Sequence, residues 1–325
     1  MEFIRNGILV AIAAHCLGGI SLLWDKILLR KPATQNLLSY VFWMGAMSVF
    51  GIILVFFGFH MPPLPIALLA FASGAFQLVA MYFYYLALKR GEASETLAVM
   101  GGFSPAATAL AAALLLGKVV NHSQVLGFVV MVAGGFAMFL AEKMNYRQLL
   151  PPMLAASVSY GFVLVVQKIA FNHTNFVSGY VFFTLGTFAG SLLLLAPRSW
   201  RRQIIENTGS AERRSRFWYL TNRLVDGVGA FLVWYAISLA NPAMVEAISA
   251  VRYVVIFLGA YVLTIWKPSW ISEGFSGMTL AAKAMATGLV TAGLVIVGLR
   301  GGTVAYNDSN TTPQATRQAP AQRCQ

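Results

Sequence analysis

Residues 64–88 read LPIALLAFASGAFQLVAMYFYYLAL, twenty-five positions without a single charge. A helix rises about 1.5 Å per residue, so ~20 apolar residues cross the ~30 Å hydrocarbon core of a bilayer. Blocks of this kind recur along the chain, giving predicted spans at 6–29, 36–58, 64–88, 94–117, 122–141, 150–171, 178–196, 217–240, 243–266 and 280–299. Composition agrees: 58% of residues are hydrophobic, 10% are charged and the mean hydropathy is +0.70. Soluble domains are about one-quarter charged. The expected fold is an all-α integral membrane protein of ten transmembrane helices. Lipid cannot hydrogen-bond an open backbone, so one helical bundle is the form available to such a chain.

The net charge of +12 does not point to nucleic acid. Basic residues sit in short connections beside apolar spans, where they meet anionic headgroups, and none alternate with stacking aromatics. Cys16 lies in the first span and Cys324 in the tail, so no disulfide framework is implied. No small-x-small processing site follows the first apolar block, which is read as an uncleaved span. Turn-forming clusters separate the spans, among them Met61-Pro62-Pro63, Pro151-Pro152 and Asn241-Pro242. The connection from Pro197 to Arg216 is long and basic, and residues 303–325 have the composition of a disordered tail.

The chain also repeats. At a shift of 142, Ala13-Ala14, Gly19, Lys26 and Ile27 fall on Ala155-Ala156, Gly161, Lys168 and Ile169. At a shift of 149, Gln77 falls on Asp226 and Ala87 on Ala236. Gly127 and Gly134 in the fifth span match the spacing of Ala286 and Gly293 in the tenth. The expected units are residues 1–145 and 146–302, each of five helices. An odd number of crossings makes the second unit insert upside down. Such inverted repeats hold substrate near the bilayer midplane in many transporters.

One region resembles a known family. Tyr84-Tyr85-Leu86-Ala87-Leu88-Lys89-Arg90-Gly91-Glu92-Ala93-Ser94 leads through Leu97-Ala98 to Phe103-Ser104-Pro105, and a small-residue helix then ends at Leu116-Gly117-Lys118. This resembles the third-to-fourth helix region of EamA-like domains in the drug/metabolite transporter superfamily. Trp234-Tyr235-Ala236-Ile237 and Asn241-Pro242-Ala243 form a looser second copy. Two positions depart from the pattern: Lys118 stands where an acidic residue is frequent, and Arg252-Tyr253-Val254 stands where the Ser-Pro kink is usual. The resemblance implies a ten-helix secondary transporter of small metabolites in a cell membrane, the bacterial inner membrane being the expected one.

Charges kept inside lipid cost at least ~2.5 kcal/mol each, so they are the default candidates for function. His15, Gly19, Leu22 and Lys26 share a helical stripe, and Ser157, Gly161, Leu164 and Lys168 repeat it. Lys26 and Lys168 either hold an anionic substrate group or snorkel to an interface. Asp25 beside them pairs with a cation or faces headgroups. Arg223 and Asp226, three residues apart, can pair locally; Asp226 and its repeat partner Gln77 are candidates to face a cavity. Glu246 shares a face with Ser249 and Tyr253, with Arg252 offset from it. Asp226 and Glu246 are the candidate proton-coupling groups. His15, Lys26, Gln77, Lys168, Arg223, Arg252 and Tyr253 are the candidate substrate-binding groups. Glu95 has the same two readings as Glu246, with a helix-start role the stronger.

No phosphate-binding Gly-x-x-x-x-Gly-Lys-Ser/Thr loop and no metal or acyl-transfer motif is present, so no cofactor is expected. The expected partners are a small-molecule substrate, the lipid bilayer and protons, with antiport as a further expectation. Alternatives are a flippase for an anionic lipid carrier, which would need a laterally open groove, and a membrane enzyme or accessory subunit, which would need reactive clusters at one interface. Orientation is contested. Fourteen basic residues flank the odd-numbered connections against five on the other side, which puts the termini outside, whereas the resemblance implies termini in the cytoplasm.

Overall fold

A computed structural model describes residues 7–31, 36–117, 122–141, 146–210, 212–240, 242–271 and 277–301. Lys118 and residues 303–325 lie outside these, as does the side chain of Glu95. Among the described residues there is no strand. The helices are α1 (Gly7–Leu29), α2 (Leu37–Met47, continued by a 3₁₀ segment Ser48–Phe56), α3 (Leu64–Arg90), α4 (Ala93–Leu116), α5 (His122–Ala141) and α6 (Tyr146–His173). They continue with α7 (Phe176–Leu193), α8 (Arg198–Ser210), α9 (Arg213–Leu239), α10 (Pro242–Ile248), α11 (Ala250–Trp266) and α12 (Gly277–Gly301). Six described segments are long and apolar enough to cross a membrane: α1, α2 with its 3₁₀ extension, α3, α6, α7 and the Val99–Leu116 part of α4. Shorter apolar stretches fill α5, α11 and α12. The apolar run of α9 is interrupted by Asn222, Arg223 and Asp226.

Several elements differ from the sequence expectation. The Pro197–Arg216 connection is largely helical: α8 buries Ile204 and exposes Arg201 and Arg202, an amphipathic pattern too short to span. Pro151 and Pro152 lie inside α6 rather than before it, close enough to its start that few backbone bonds are lost. The expected single ninth helix is two, α10 and α11, joined by tight bonds from Ser249 N to Glu246 O (3.0 Å) and from Arg252 N to Ser249 O (2.9 Å). The second half thus breaks its helix without the proline that sits inside α4 at Pro105.

Two asparagines start helices in the same way. Asn36 accepts from Ser39 N at 3.0 Å and Asn175 from Ser178 N at 2.7 Å, each satisfying an otherwise orphaned helix-start donor. Two lysines cap the ends of neighbouring helices. Lys26 Nζ donates to Leu88 O (2.6 Å) and to Gly91 O at the end of α3; Lys168 Nζ donates to Ile237 O (2.9 Å) and Ser238 O (3.1 Å) at the end of α9. A cation on the last carbonyls of a helix is favoured by the helix dipole and quenches groups that lipid cannot solvate.

Contacts along the helices fix their directions. Gly7 faces Leu239 while Asn222 bonds Asp25, so α1 and α9 run antiparallel. Ser73 bonds Gln167 at 2.7 Å and Arg90 reaches Gln148 O, so α3 and α6 do too. The C-terminal ends of α1 and α3 meet through Lys26. Helix α5 packs on α12, with Gly134 against Ala286 and Gly293 against Gly127, the four small residues whose spacing repeats in the sequence. The closest approach joins α3 and α7. A Cβ on Gly74 would strike Phe183 O and one on Gly186 would strike Phe71 O, while Thr187 Oγ1 donates to Gly74 O at 3.0 Å. Small residues at helix crossings replace the hydrophobic drive that lipid does not supply.

Gly74→Leu and Gly186→Leu are expected to destabilise by about 1–3 kcal/mol or more, because backbone rather than a movable side chain is in the way. Gly288→Ala, at a position with open space, is expected to be neutral. Thermal unfolding in detergent compares the three; equal midpoints would contradict this packing.

Candidate functional site

The polar residues of α1 and α9 form one buried network. Asp25 Oδ1 accepts hydrogen bonds from Tyr40 Oη (2.5 Å), Asn222 Nδ2 (2.6 Å) and Arg223 Nη2. Arg223 Nη1 donates to Tyr85 Oη (2.8 Å) and to Asp226 Oδ2 (3.0 Å). The guanidinium lies 5.5, 5.9 and 5.5 Å from the ring centroids of Tyr40, Tyr85 and Tyr219. Each such cation–ring contact contributes about 0.5–2 kcal/mol, more where water is excluded. Tyr219 Oη also donates to Tyr40 O at 2.9 Å, tying α9 to α2. Beyond this network, toward the α1–α2 connection, Trp24 packs on Trp218 and Trp270 with centroids 5.2 and 6.0 Å apart. That end of the bundle is shut by an ion pair, a tyrosine cage and three indoles.

A second group surrounds the break between α10 and α11. Ser104 Oγ, one residue before Pro105, donates to Glu246 Oε1 at 3.0 Å. His15 Nε2 meets Val245 O at 3.0 Å and its Nδ1 meets Arg252 Nη2 at 2.7 Å. A carbonyl requires a donor and a guanidinium requires an acceptor, so His15 fits here as the neutral Nε2–H tautomer. Gly19 makes room for this arrangement, since a Cβ there would press on Val255. Gly101 does the same for the ring of Tyr253.

Between the two groups lies a cavity of about 540 Å³. Pockets of roughly 300–1,000 Å³ hold small organic ligands. Gln77, Arg223, Asp226, Glu246, Arg252 and Tyr253 line it, so six of the nine residues singled out from sequence share one wall. His15 stands behind that wall, holding Arg252. Lys26 and Lys168 are not among the residues that line it and bond the helix-end carbonyls described above. Gln77 Oε1, Tyr84 Oη, Arg223 Nε and Arg252 Nε are buried without a hydrogen-bond partner, and all four residues belong to the cavity lining. Buried polar groups are nearly always paired, so four unpaired ones on residues that line one cavity single out this region as a candidate ligand site. Sequence alone leaves Asp25 open between a cation partner and headgroups, and the network decides for the cation. It gives no sign of the tyrosine cage. Tyr40, Tyr85 and Tyr219 carry no signal of their own, because tyrosines abound at membrane interfaces.

Comparison with known proteins gives the frame. Residues 5–140 match the EamA-like transporter family. The first half of the chain is thus similar to a family of membrane transporters. A solved crystal structure aligns over 91% of this chain and 97% of its own, with a TM-score of 0.60 at 18% identity, a likeness of fold that spans both halves. No curated protein matches. The chain is a multi-pass membrane protein.

Removing one member of a buried ion pair leaves the other charge uncompensated, which costs about 3–5 kcal/mol. Asp25→Asn and Arg223→Met are each expected to lower the unfolding midpoint strongly. The double variant is expected to recover much of that loss, with Asp226 left accessible to the cavity. A double-mutant cycle read by thermal unfolding tests this; additive losses would contradict the pairing.

Proposed function

We propose that this protein is a secondary-active transporter that moves a small polar metabolite or drug-like molecule by alternating access, through rocking of two oppositely inserted five-helix units. The observation that carries the proposal is the 540 Å³ cavity with Arg223, Arg252, Asp226 and Glu246 on its wall. Intramembrane charges that line a shared space mark substrate and ion pathways. The inverted-repeat reading is supported by pairs of matching contacts. The α1–α9 packing has its counterpart in α6–α3, the Asn36 cap in Asn175, and the Lys26 anchor in Lys168. The proline inside α4 at Pro105 and the helix break at Ser249 lie beside cavity-lining Ser104 and Arg252, as irregular helices do at transporter binding sites.

Charge arithmetic favours a coupled proton. Asp25, Asp226 and Glu246 outnumber Arg223 and Arg252 by one in and immediately behind the wall. Asp25 is committed to Arg223, whereas the Asp226 side chain is 31% exposed to the cavity. A proton on Asp226 would release one of the two bonds of Arg223 to carboxylates and let it receive a substrate oxygen. Glu246, held by one hydroxyl, is the second proton site. The closed end then opens when the Asp25–Arg223 pair separates. This order of events makes proton and anionic substrate travel together.

The test uses proteoliposomes containing a pH-sensitive dye, with a substrate found by screening polar metabolites for ligand-induced stabilisation. In the wild type, substrate addition is expected to move protons. Asp226→Asn and Glu246→Gln are expected to reduce that proton movement about tenfold or more while retaining substrate exchange at equal concentrations. Flux unchanged on collapse of the pH gradient would refute the coupling. Full transport by both variants together with Arg223→Met and Arg252→Gln would refute the site.

A further inference from the structure

Arg252 differs from Arg223 in one respect. Arg223 is bridged by Asp25 and Asp226, whereas no carboxylate among the described residues comes within 4.0 Å of Arg252. Its Nη2 bonds neutral His15, and its Nε, like that of Arg223, is buried without a partner. Tyr84 Oη, another unpartnered donor, belongs to the same cavity lining. A cation held in the membrane with spare donors is built to take an oxyanion, for which guanidinium geometry is suited.

The rest of the cavity has the opposite character. Its wall continues along the 3₁₀ segment of α2 and the middle of α9, through Phe50, Ile53, Leu224 and Val228. These four line the cavity and are also 67%, 60%, 63% and 55% exposed, so they form its rim. The 3₁₀ segment buries none of its residues and packs on α7, with no comparable packing on α9. The corresponding seam between α3 and α7 is the tightest among the described residues, with Gly74 and Gly186 pressed on backbone. At the rim, Gly227 has nothing within 4 Å of where its Cβ would stand. One of two matching seams is sealed and the other is an apolar mouth between two membrane helices.

Resting on the transporter reading above, we infer that the substrate is an amphipathic oxyanion, whose carboxylate or phosphate head bonds Arg252 and Tyr84 and whose hydrocarbon tail lies in the mouth between the 3₁₀ segment and α9. Such a molecule dissolves in the lipid leaflet and enters sideways, head trailing along the polar wall. Each methylene buried in the mouth raises affinity about fourfold.

Photo-crosslinking tests this directly, with a diazirine-bearing fatty acid added to the full-length protein in phosphatidylcholine nanodiscs. Label is expected on peptides covering residues 48–56 and 224–231. Decanoate and decyl phosphate are expected to compete, the stronger naming the head group, while butyrate and decyltrimethylammonium at equal concentration do not. Arg252→Gln is expected to reduce labelling about tenfold, as befits loss of a charged hydrogen bond, and Arg252→Lys to retain part of it. Gly227→Trp, which fills open space, is expected to block labelling without loss of folding by size-exclusion chromatography. Label spread evenly over lipid-facing helices and insensitive to Arg252→Gln overturns the inference. So does butyrate competing as well as decanoate, a result that would leave transport of short, water-soluble anions intact.

Discussion

The Arg223 guanidinium, enclosed by Asp25, Asp226 and three tyrosines, is the constraint around which this bundle is organised. Hydrocarbon offers a charge no solvation, so the protein must supply it from its own side chains. Doing so draws α1, α2, α3 and α9 to one point and shuts one end of the cavity. Lys26 and Lys168 follow the same logic at the helix ends, and His15 follows it behind Arg252. Gln77, Tyr84, Arg223 and Arg252, each with an unpaired buried atom after this accounting, all line the cavity.

Two seams that border the cavity differ in how they close. The seam between α3 and α7 closes on glycine-to-backbone contact, whereas the seam between α2 and α9 stands open along a 3₁₀ segment with no buried residue. An alternating-access cycle exchanges such roles between related seams. The break at Ser249 and the proline at Pro105 give each half a place to bend beside the cavity.

Much of this is legible in the chain. The apolar blocks mark the helices, because the thickness of lipid sets a length that sequence cannot hide. The spacing of Gly127, Gly134, Ala286 and Gly293 marks an interface, because only small residues allow backbones so close. Arg223, Asp226, Glu246 and Arg252 stand out because charge is costly in hydrocarbon. Three features are not legible. Helix α8 is hidden because a basic connection and an amphipathic helix share a composition. The two lysines give no sign of their partners, since a backbone carbonyl leaves no mark in the sequence. The break between Ile248 and Ala250 has no proline to announce it, and Ser249 alone does not stop a helix.

The central claim is a wet, one-sided chamber closed by the Asp25–Arg223 network. Cysteine accessibility measures it most directly, with Ala230→Cys introduced into a chain carrying Cys16→Ser and Cys324→Ser, in sealed vesicles of known orientation. Ala230 lines the cavity and is partly exposed. A membrane-impermeant maleimide is expected to modify it only from the face bearing the 57–63 connection. Modification at equal rates from both faces, or from neither, would contradict the account.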